Sequence, residues 1–282
     1  MPGFIAMIPD NRETIIFKLI LFQYKKILPL APMKKAIQAI FQRILGFKNY
    51  LFVFSVFKIK TLAWEPKDKE GDFNYFLTLL KDEDVVLDIG ANLGIMTVLM
   101  ARKCVSGKVY AFEPVPDNFE AMARVVKFFK LKNVELNQVA LGEESGKVEI
   151  RMPILKGVKM QGLSHVDHNS IEGYDADYVN YEVPLKRLDE WPFAENELIS
   201  AIKIDVENYE QFVFKGGKEV VRKHKPMIYC ELWDNENRKN TLTLLENEGY
   251  TVKVLDNDQL VDFSPSIHSN HNFFILPETL SL

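Results

Sequence analysis

The chain has 282 residues, of which 47% are hydrophobic and 26% charged, a composition typical of soluble globular proteins. Its net charge of −4 argues against a protein that coats nucleic acid, and its two cysteines exclude a disulfide framework and a four-cysteine zinc site. No stretch reaches the roughly 18 uninterrupted apolar residues of a membrane span, and the chain does not begin with a secretory signal pattern. We therefore expect a cytoplasmic protein.

The N-terminal segment, residues 1–63, differs in charge from the remainder, residues 64–282. It has ten basic and two acidic residues, a net charge of +8, whereas the remainder has 25 basic and 37 acidic residues, a net charge of −12. Apolar residues at helical spacing predict two amphipathic helices within 13–45, and aromatic and β-branched residues predict a strand or buried extended segment at 50–59. We expect the N-terminal segment to be a lid on the main domain; the alternative is peripheral contact of a basic helix with an anionic membrane surface.

Beyond residue 84 the pattern changes to apolar runs that alternate with helical segments. Strands are predicted at 85–89, 109–112, 134–139, 199–204, 227–230, 251–255 and 273–276, and helices at 93–103, 118–130, 209–222 and 235–248. Strands that are apolar throughout are buried on both faces, which indicates a Rossmann-like α/β fold with a mostly parallel sheet and helices on both faces. Residues 142–184 interrupt this rhythm with glycines and polar side chains, and we interpret them as an irregular insertion on the substrate side of the functional site.

The most informative segment is D-V-V-L-D-I-G-A-N-L-G at 84–94, where the first strand ends and a helix opens. Its candidate cofactor-binding residues are Asp88, Gly90, Ala91, Asn92 and Gly94. A glycine after the strand lets the backbone turn sharply and approach a ligand. The spacing differs from the G-x-G-x-x-G of dinucleotide sites, and a carboxylate before the first glycine would repel a pyrophosphate but suits a cationic amino-acid moiety. The segment therefore favours S-adenosylmethionine over a dinucleotide as cofactor.

Two further strand ends carry candidate cofactor ligands. In K-V-Y-A-F-E-P, Glu113 and Pro114 follow the second strand about twenty residues after the glycine turn, where a carboxylate accepts hydrogen bonds from both ribose hydroxyls. In V-E-L-N-Q-V-A-L-G, the end of the third strand brings Asn137 and the backbone near Ala140 toward an adenine ring. A plain turn is the alternative for this third segment.

Five motifs in this order resemble the FkbM family of methyltransferases. They are D-I-G-A-N-L-G (88–94), F-E-P-V-P-D-N (112–118), V-A-L-G (139–142), R-L-D-E (187–190) and K-I-D-V-E-N-Y-E (203–210). The resemblance covers about residues 70–277. It implies a class I methyltransferase fold with a seven-stranded sheet whose last strand is antiparallel, S-adenosylmethionine as cofactor, and methylation of a hydroxyl oxygen on a sugar, glycolipid or polyketide-like compound. Two positions depart from the family pattern: Asn208 replaces a glycine, and His165 replaces the second of two paired serines.

The acceptor side is expected around K-I-D-V-E-N-Y-E. Asp205, at the end of a strand, is the leading candidate for the general base or for orienting the acceptor. Glu207 and Glu210 are three residues apart and are expected to share a helix face, and compensation of the helix dipole is an equal alternative for Glu210. Glu231, at the end of the next strand, is a candidate to bind a substrate hydroxyl or to hold Lys203.

The polar insertion offers His165 and His168 as candidate bases, with a surface histidine as the alternative. No spacing of acidic residues and histidines compels a metal site, so none is predicted. The favoured function is O-methylation of a small or glycosylated hydroxyl compound, without nucleic acid as a partner. The alternatives are N-methylation of a small molecule and a non-catalytic scaffold that binds S-adenosylmethionine and recruits partners through residues 1–63; the glycine spacing argues against an oxidoreductase.

Overall fold

The structure is a computed structural model that describes residues 31–62, 71–155, 157–166 and 177–280. Its helices are α1 (Ala31–Leu45), α2 (Phe47–Thr61), α3 (Gly71–Leu79), α4 (Ile95–Lys103), α5 (Pro116–Phe128), α6 (Glu210–Gly216), α7 (Lys218–His224) and α8 (Glu236–Asn247). Its strands are β1 (Val85–Ile89), β2 (Lys108–Phe112), β3 (Val134–Asn137), β4 (Ala140–Leu141), β5 (Gly146–Leu155), β6 (Val158–Lys159), β7 (His165–Val166), β8 (Asp177–Lys186), β9 (Ile199–Ile204), β10 (Met227–Glu231), β11 (Tyr250–Asp256), β12 (Gln259–Asp262) and β13 (Asn272–Pro277).

The main sheet confirms the predicted Rossmann-like α/β class. Its strand order is β12-β11-β13-β10-β9-β1-β2-β3, and the five strands from β10 to β3 are parallel. The last strand, β13, is antiparallel to both of its neighbours, as expected. The sheet has one strand more than predicted, because β11 and the edge strand β12 are joined by a two-residue turn. Asn257 and Asp258 have φ angles of 48° and 62°, which is the backbone of a type I′ hairpin.

The order of the strands determines where a ligand can bind. The chain proceeds from β1 to β2 and β3 on one side of the sheet and then returns to β9 on the other side of β1. Apolar side chains from both faces are buried, with Leu87 and Ile202 in one cluster and Val86 and Ala201 in the other. Loops after β1 and β9 therefore diverge at a topological switch point, where open α/β sheets bind their ligands.

The described part of residues 142–184 is not irregular, so that part of the prediction was wrong, whereas the placement of this insertion on the substrate side stays a prediction. The described part forms a second sheet in which β5 and β8, ten residues each, pair antiparallel from Gly146↔Leu185 to Ile154↔Asp177. Its inner face buries Ile150, Met152 and Val183 in a cluster of its own. The segment between them, Gln161–Val166, lies at the edge of this sheet, where β7 pairs with β5. His168 lies outside the described residues.

The predicted strand at 50–59 was also wrong, because these residues belong to α2. Leu51, Ser55 and Ile59 recur every four residues on its buried side, and they pack on α4 and α5. Tertiary burial has overridden the β propensity of the aromatic and β-branched residues.

Helix α1 contains the second of the two predicted amphipathic helices; the first lies outside the described residues. The Gln42 side chain forms hydrogen bonds with both the backbone N–H and the carbonyl of Lys159, so α1 is attached to the second sheet. Ile40 and Ile44 are 55% and 72% exposed on α1. None of the described helices is long and apolar enough to span a bilayer, and peripheral membrane contact through residues 1–63 stays a prediction.

The predicted helix at 209–222 is divided into α6 and α7 at Gly217. The preceding residue, Gly216, packs so closely on the chain that a Cβ there would lie 1.9 Å from the carbonyl oxygen of Gly142. This contact joins α6 to the start of the second sheet and brings the loop before α6 toward the insertion.

Candidate functional site

The turn after β1 is held against the ends of both neighbouring strands. The N–H groups of Gly90 and Ala91 donate to the carbonyl of Phe112 at the end of β2, over 3.0 and 2.9 Å. Gly90 has a φ of 75°, and a Cβ there would lie 1.9 Å from the carbonyl oxygen of Asp205, which follows β9. Gly94, with a φ of 74°, begins α4. Glycine at position 90 is therefore required by both the backbone conformation and the close approach of β9.

A buried ionic group lies beneath this turn. Asp88 has no exposed surface, and its Oδ2 accepts a hydrogen bond of 2.5 Å from Thr97. The ammonium of Lys203, which is 4% exposed, lies 3.4 Å from Asp88 Oδ1 and donates to the carbonyl of Gly90 over 3.1 Å. Burial lowers the pKa of Lys203, but Asp88 and Asp205 outweigh it, so that the pKa is raised and the lysine is charged. Asp88 thus stabilises the turn from below.

Glu113 is fixed by hydrogen bonds from three donors. Its Oε2 accepts from the Asn92 N–H over 2.8 Å, and its Oε1 accepts from the Val115 N–H over 2.9 Å and from the Asn118 amide over 3.3 Å. Burial raises the pKa of Glu113 to about 7, although these donors lower it. Oε1 thus accepts two hydrogen bonds and Oε2 one, so the group is oriented and Oε2 has a further lone pair to offer to a ligand.

These elements line a cavity that opens to solvent. The predicted site residues that line it are Gly90, Asn92, Glu113, Pro114, Ala140, His165, Asp205 and Glu207. The predicted residues Asp88, Ala91, Gly94, Asn137 and Glu231 are absent from its lining. The cavity therefore joins the ends of β1, β2 and β9 to the second sheet, and the roles assigned to individual residues stay predictions.

The residues outside the lining have structural partners of their own. The Ala91 carbonyl accepts the Gly94 N–H, and the Asn137 carbonyl accepts the Glu113 N–H. Asn137 therefore supports Glu113 through its backbone. The position of Glu231 follows from the register of the sheet: Cys230 pairs with Ile204, so the next residues, Glu231 and Asp205, are neighbours on adjacent strands.

The loop after β9 has an unusual backbone. Glu207 and Asn208 have φ angles of 53° and 71°, so Glu207 lies before α6 and the expected helix face shared by Glu207 and Glu210 does not exist. Burial, followed by the charges of Asp205 and Glu231, raises the pKa of Glu207 to about 8. The loop thus directs a carboxyl group that holds its proton near neutral pH into the cavity lining.

Glu210 serves the loop rather than the cavity. It is 1% exposed, its Oε1 accepts from the Val206 N–H over 3.1 Å, and its Oε2 accepts from the Asn237 amide over 2.6 Å. Burial raises its pKa to about 7. Glu210 therefore holds the loop before α6 through the Val206 N–H, and compensation of the helix dipole by this residue stays a prediction.

His165 is oriented by a hydrogen bond to the backbone. Its Nδ1 lies 2.9 Å from the carbonyl of Leu163, which only accepts hydrogen bonds, so Nδ1 carries the hydrogen. In the neutral ring the lone pair is then on Nε2. The side chain is buried and lines the cavity from the second sheet. This tautomer suits a proton acceptor.

With this geometry established, comparison with known proteins identifies the family. A profile described as the methyltransferase FkbM domain matches residues 88–259, which is more than half of the chain. The chain belongs to the FkbM methyltransferase family. The matched range begins at the end of β1 and includes β2, β9 and β10 with the loops that line the cavity.

Among the relatives, "Methyltransferase 1" of Beauveria bassiana (strain ARSEF 2860) is 27% identical over 192 residues, covering 64% of this chain and 77% of that protein. "2-O-methyltransferase NoeI" of Sinorhizobium fredii (strain NBRC 101917 / NGR234) is 29% identical over 176 residues, covering 59% and 70%. The solved structure of methyltransferase FkbM from Methylobacillus flagellatus KT aligns with a TM-score of 0.46 and 16% identity over 87% of this chain; the chain spans only 60% of that protein.

As a member of the FkbM family, the chain is an S-adenosylmethionine-dependent methyltransferase, and its cavity fits that cofactor. The amide oxygens of Asn92, Asn118 and Gln161 are buried yet accept no hydrogen bond from any residue in the described ranges, and all three residues line the cavity. Buried acceptors without donors are costly, so a ligand with amino and hydroxyl donors would satisfy them. S-adenosylmethionine has such donors on its amino acid, ribose and adenine.

Sequence reasoning missed several residues of this FkbM site. Asn118 lies within the quoted F-E-P-V-P-D-N motif, so its position was visible, but its role depends on a hydrogen bond to Glu113. Gln161 and Tyr209 reach the cavity from the second sheet and from the loop before α6. Tyr209 lies within the quoted K-I-D-V-E-N-Y-E motif, whereas no local pattern marks Gln161, because it enters the site only through packing between the two sheets.

No metal site was predicted, and the described residues contain no group of three acidic, histidine or cysteine side chains placed to hold a metal ion.

The backbone conformation explains Asn208, which stands where the family pattern has a glycine. With a φ of 71°, this position lies in the left-handed region that glycine favours and that asparagine tolerates better than other residues. Its Oδ1 accepts a hydrogen bond of 2.5 Å from Asn235, an interaction that glycine cannot make.

Proposed function

We propose that this methyltransferase transfers a methyl group to a hydroxyl oxygen of a sugar, glycolipid or other small natural-product acceptor. The observation that carries the proposal is that two groups able to accept a proton, His165 and Asp205, line the same cavity as Glu113. Glu113 belongs to the cofactor side at the end of β2. His165 and Asp205 come from the second sheet and from the end of β9.

Bound S-adenosylmethionine supplies an electrophilic methyl group. On the cofactor side, Oε2 of Glu113 would accept a hydrogen bond from the ribose, and Gly90 would allow the backbone to approach the ligand. The amide oxygens of Asn92 and Asn118, which accept no hydrogen bond from the described residues, would accept hydrogen bonds from ligand donors. Holding both reactants in line supplies a large part of the rate enhancement, about 7–11 kcal/mol in favourable cases.

On the acceptor side, Asp205 is half-exposed with its side chain at 36%, so it is accessible to a hydroxyl group. The Nε2 of His165 offers a second proton acceptor. A general base contributes about 10²–10⁴-fold to the rate. An alcohol needs such a group to remove its proton as the oxygen attacks, and this need favours an oxygen acceptor.

The relatives support an oxygen acceptor in one case. NoeI is named a 2-O-methyltransferase, whereas the Beauveria bassiana protein and "Methyltransferase sdnD" of Sordaria araneosa are named only as methyltransferases. At 26–29% identity these names suggest the chemistry to be tested first rather than the acceptor itself.

The test is turnover of S-adenosylmethionine against a panel of sugars, glycolipids and hydroxylated small molecules, with matched amines, followed by mass analysis of the products. We expect an O-methyl product. Asp205→Asn should bind S-adenosylhomocysteine like the wild type but lower turnover by about 10²-fold or more. Methylated amines as the sole products would overturn the oxygen assignment, and binding without turnover on the whole panel would favour the scaffold alternative.

A further inference from the structure

Lys203 is a buried cation at the centre of an acidic site. It is 4% exposed and lies on β9 directly opposite Asp88 on β1 in the register of the two parallel strands. Among the described residues, no other lysine or arginine is buried. A buried charge is retained only when it is paired and hydrogen-bonded, so its partners define its role.

The ammonium donates one hydrogen bond and forms two ion pairs. Lys203 Nζ lies 3.1 Å from the Gly90 carbonyl oxygen, 3.4 Å from Asp88 Oδ1 and 4.0 Å from Asp205 Oδ2. The first contact is with the turn that lines the cavity, the second with the carboxylate beneath that turn, and the third with the candidate base. One charged group therefore contacts both the cofactor side and the acceptor side of the cavity.

The carboxyl groups that face this ammonium come from four strand ends. They are Asp88 on β1, Glu113 after β2, Asp205 and Glu207 after β9, and Glu231 on β10. With five acidic groups and one buried cation, the site would carry a large excess of negative charge if the lysine were neutral. Like charges at these distances disfavour ionisation of one another.

We propose that Lys203 is a positioning residue: its ammonium, held between Asp88 and Asp205, fixes the Gly90 turn over the cavity, so that cofactor affinity depends on this one charge. This proposal rests on the proposed function only for the role of Asp205. The contacts with Gly90 and Asp88 concern cofactor binding and hold for any methyl acceptor.

The electrostatics of two cavity residues support this role. Burial raises the pKa of Glu113 to about 7 and that of Glu207 to about 8, and in both cases the charge of Lys203 lowers the pKa. Removing that charge would raise both values further. Glu113 would then hold a proton at neutral pH and would be a poorer acceptor for the ribose hydroxyls.

The experiment compares Lys203→Met with the wild type by calorimetric titration of S-adenosylhomocysteine between pH 6 and 9. We expect Lys203→Met to bind at least tenfold more weakly at pH 7, and the rise of its affinity with pH to be displaced to higher pH. Lys203→Arg, which keeps the charge, should restore the wild-type pH dependence. Lys253→Met is the matched control, because Lys253 pairs with Asp262 at the far edge of the same sheet, and it should bind like the wild type.

A second variant keeps the test decisive if Lys203→Met does not fold. Asp88→Asn/Lys203→Met removes both charges of the buried pair and should fold, but it should keep the displaced pH dependence. A folded variant of either kind with wild-type affinity and pH dependence would overturn the proposal. No acceptor is needed, so an error in the acceptor class would appear in the product analysis and not here.

Discussion

Glu113 makes cofactor affinity dependent on pH in a way that can be worked out from its surroundings. Burial raises its pKa to about 7, so about 90% of the group is ionised at pH 8 and about 10% at pH 6. Both oxygens already accept backbone N–H groups. A proton on either oxygen would therefore face a hydrogen-bond donor, either an N–H of the protein or a hydroxyl of the ribose, and would weaken that hydrogen bond.

If the ionised form binds, affinity for S-adenosylhomocysteine falls about tenfold from pH 8 to pH 6, a loss of about 1.4 kcal/mol. Calorimetric titration at half-unit intervals measures this directly. Glu113→Gln should bind more weakly at every pH, because its amide N–H₂ faces the Asn92 or Val115 N–H, and its affinity should not follow this titration.

Glu207 also lines the cavity and has a pKa of about 8, so it needs a control. Glu207→Gln should retain the change in affinity centred near pH 7. A wild-type affinity that is constant from pH 8 to pH 6, or a Glu113→Gln variant with the wild-type pH dependence, would refute the ribose assignment and its electrostatic basis.

Three other substitutions probe the loops around the cavity. Gly90→Ala should abolish binding of S-adenosylhomocysteine, because the new Cβ would lie 1.9 Å from the Asp205 carbonyl; Gly146→Ala, with no atom within 4 Å, should bind like the wild type in the same titration. Between pH 4.5, its ordinary pKa, and about pH 8, Glu207 keeps its proton in the folded state but loses it in the unfolded state. The free energy of unfolding therefore falls as the pH rises through this range. Glu207→Gln should therefore melt at a higher temperature than the wild type at pH 8, with a smaller difference at pH 5, and an equal difference at both pH values would contradict the buried titration. Asn208→Ala should be less stable in urea than Asn208→Gly by about 1–2 kcal/mol, since both lose the Asn235 bond and only alanine is strained at a φ of 71°; equal stability would contradict that backbone conformation.

The main sheet could be predicted from the sequence because its parallel strands are buried on both faces. Such strands are mainly apolar runs, as in Val85–Ile89, where Asp88 is the polar residue, and Ile199–Ile204, which contains Ser200 and Lys203. The cofactor side of the site is built from these strand ends. A local pattern was therefore sufficient to locate Gly90 and Glu113.

The second sheet was missed although its strands have a readable pattern. In β5, Val148, Ile150 and Met152 alternate with charged residues, and in β8 Tyr181 and Val183 alternate with polar ones, which is the two-residue period of a half-buried strand. The glycines of the insertion are typical of loops, and they conceal this period. The prediction for helix α2 was wrong for a different reason: its composition is typical of a strand, and it is helical because it packs on α4 and α5.

Asn208 shows why the acceptor side depends on more than its motif. Asn208 departs from the family pattern, but the position needs a left-handed backbone, which asparagine can adopt, and the added amide joins the loop to Asn235 before α8. Asn235 in turn caps α8 through the Arg238 N–H. The loop that carries Asp205 and Glu207 is thereby tied to a helix outside the cavity. Because these contacts connect elements far apart in the sequence, the shape of the acceptor side is determined by tertiary structure, whereas the cofactor side is determined by where its strands end.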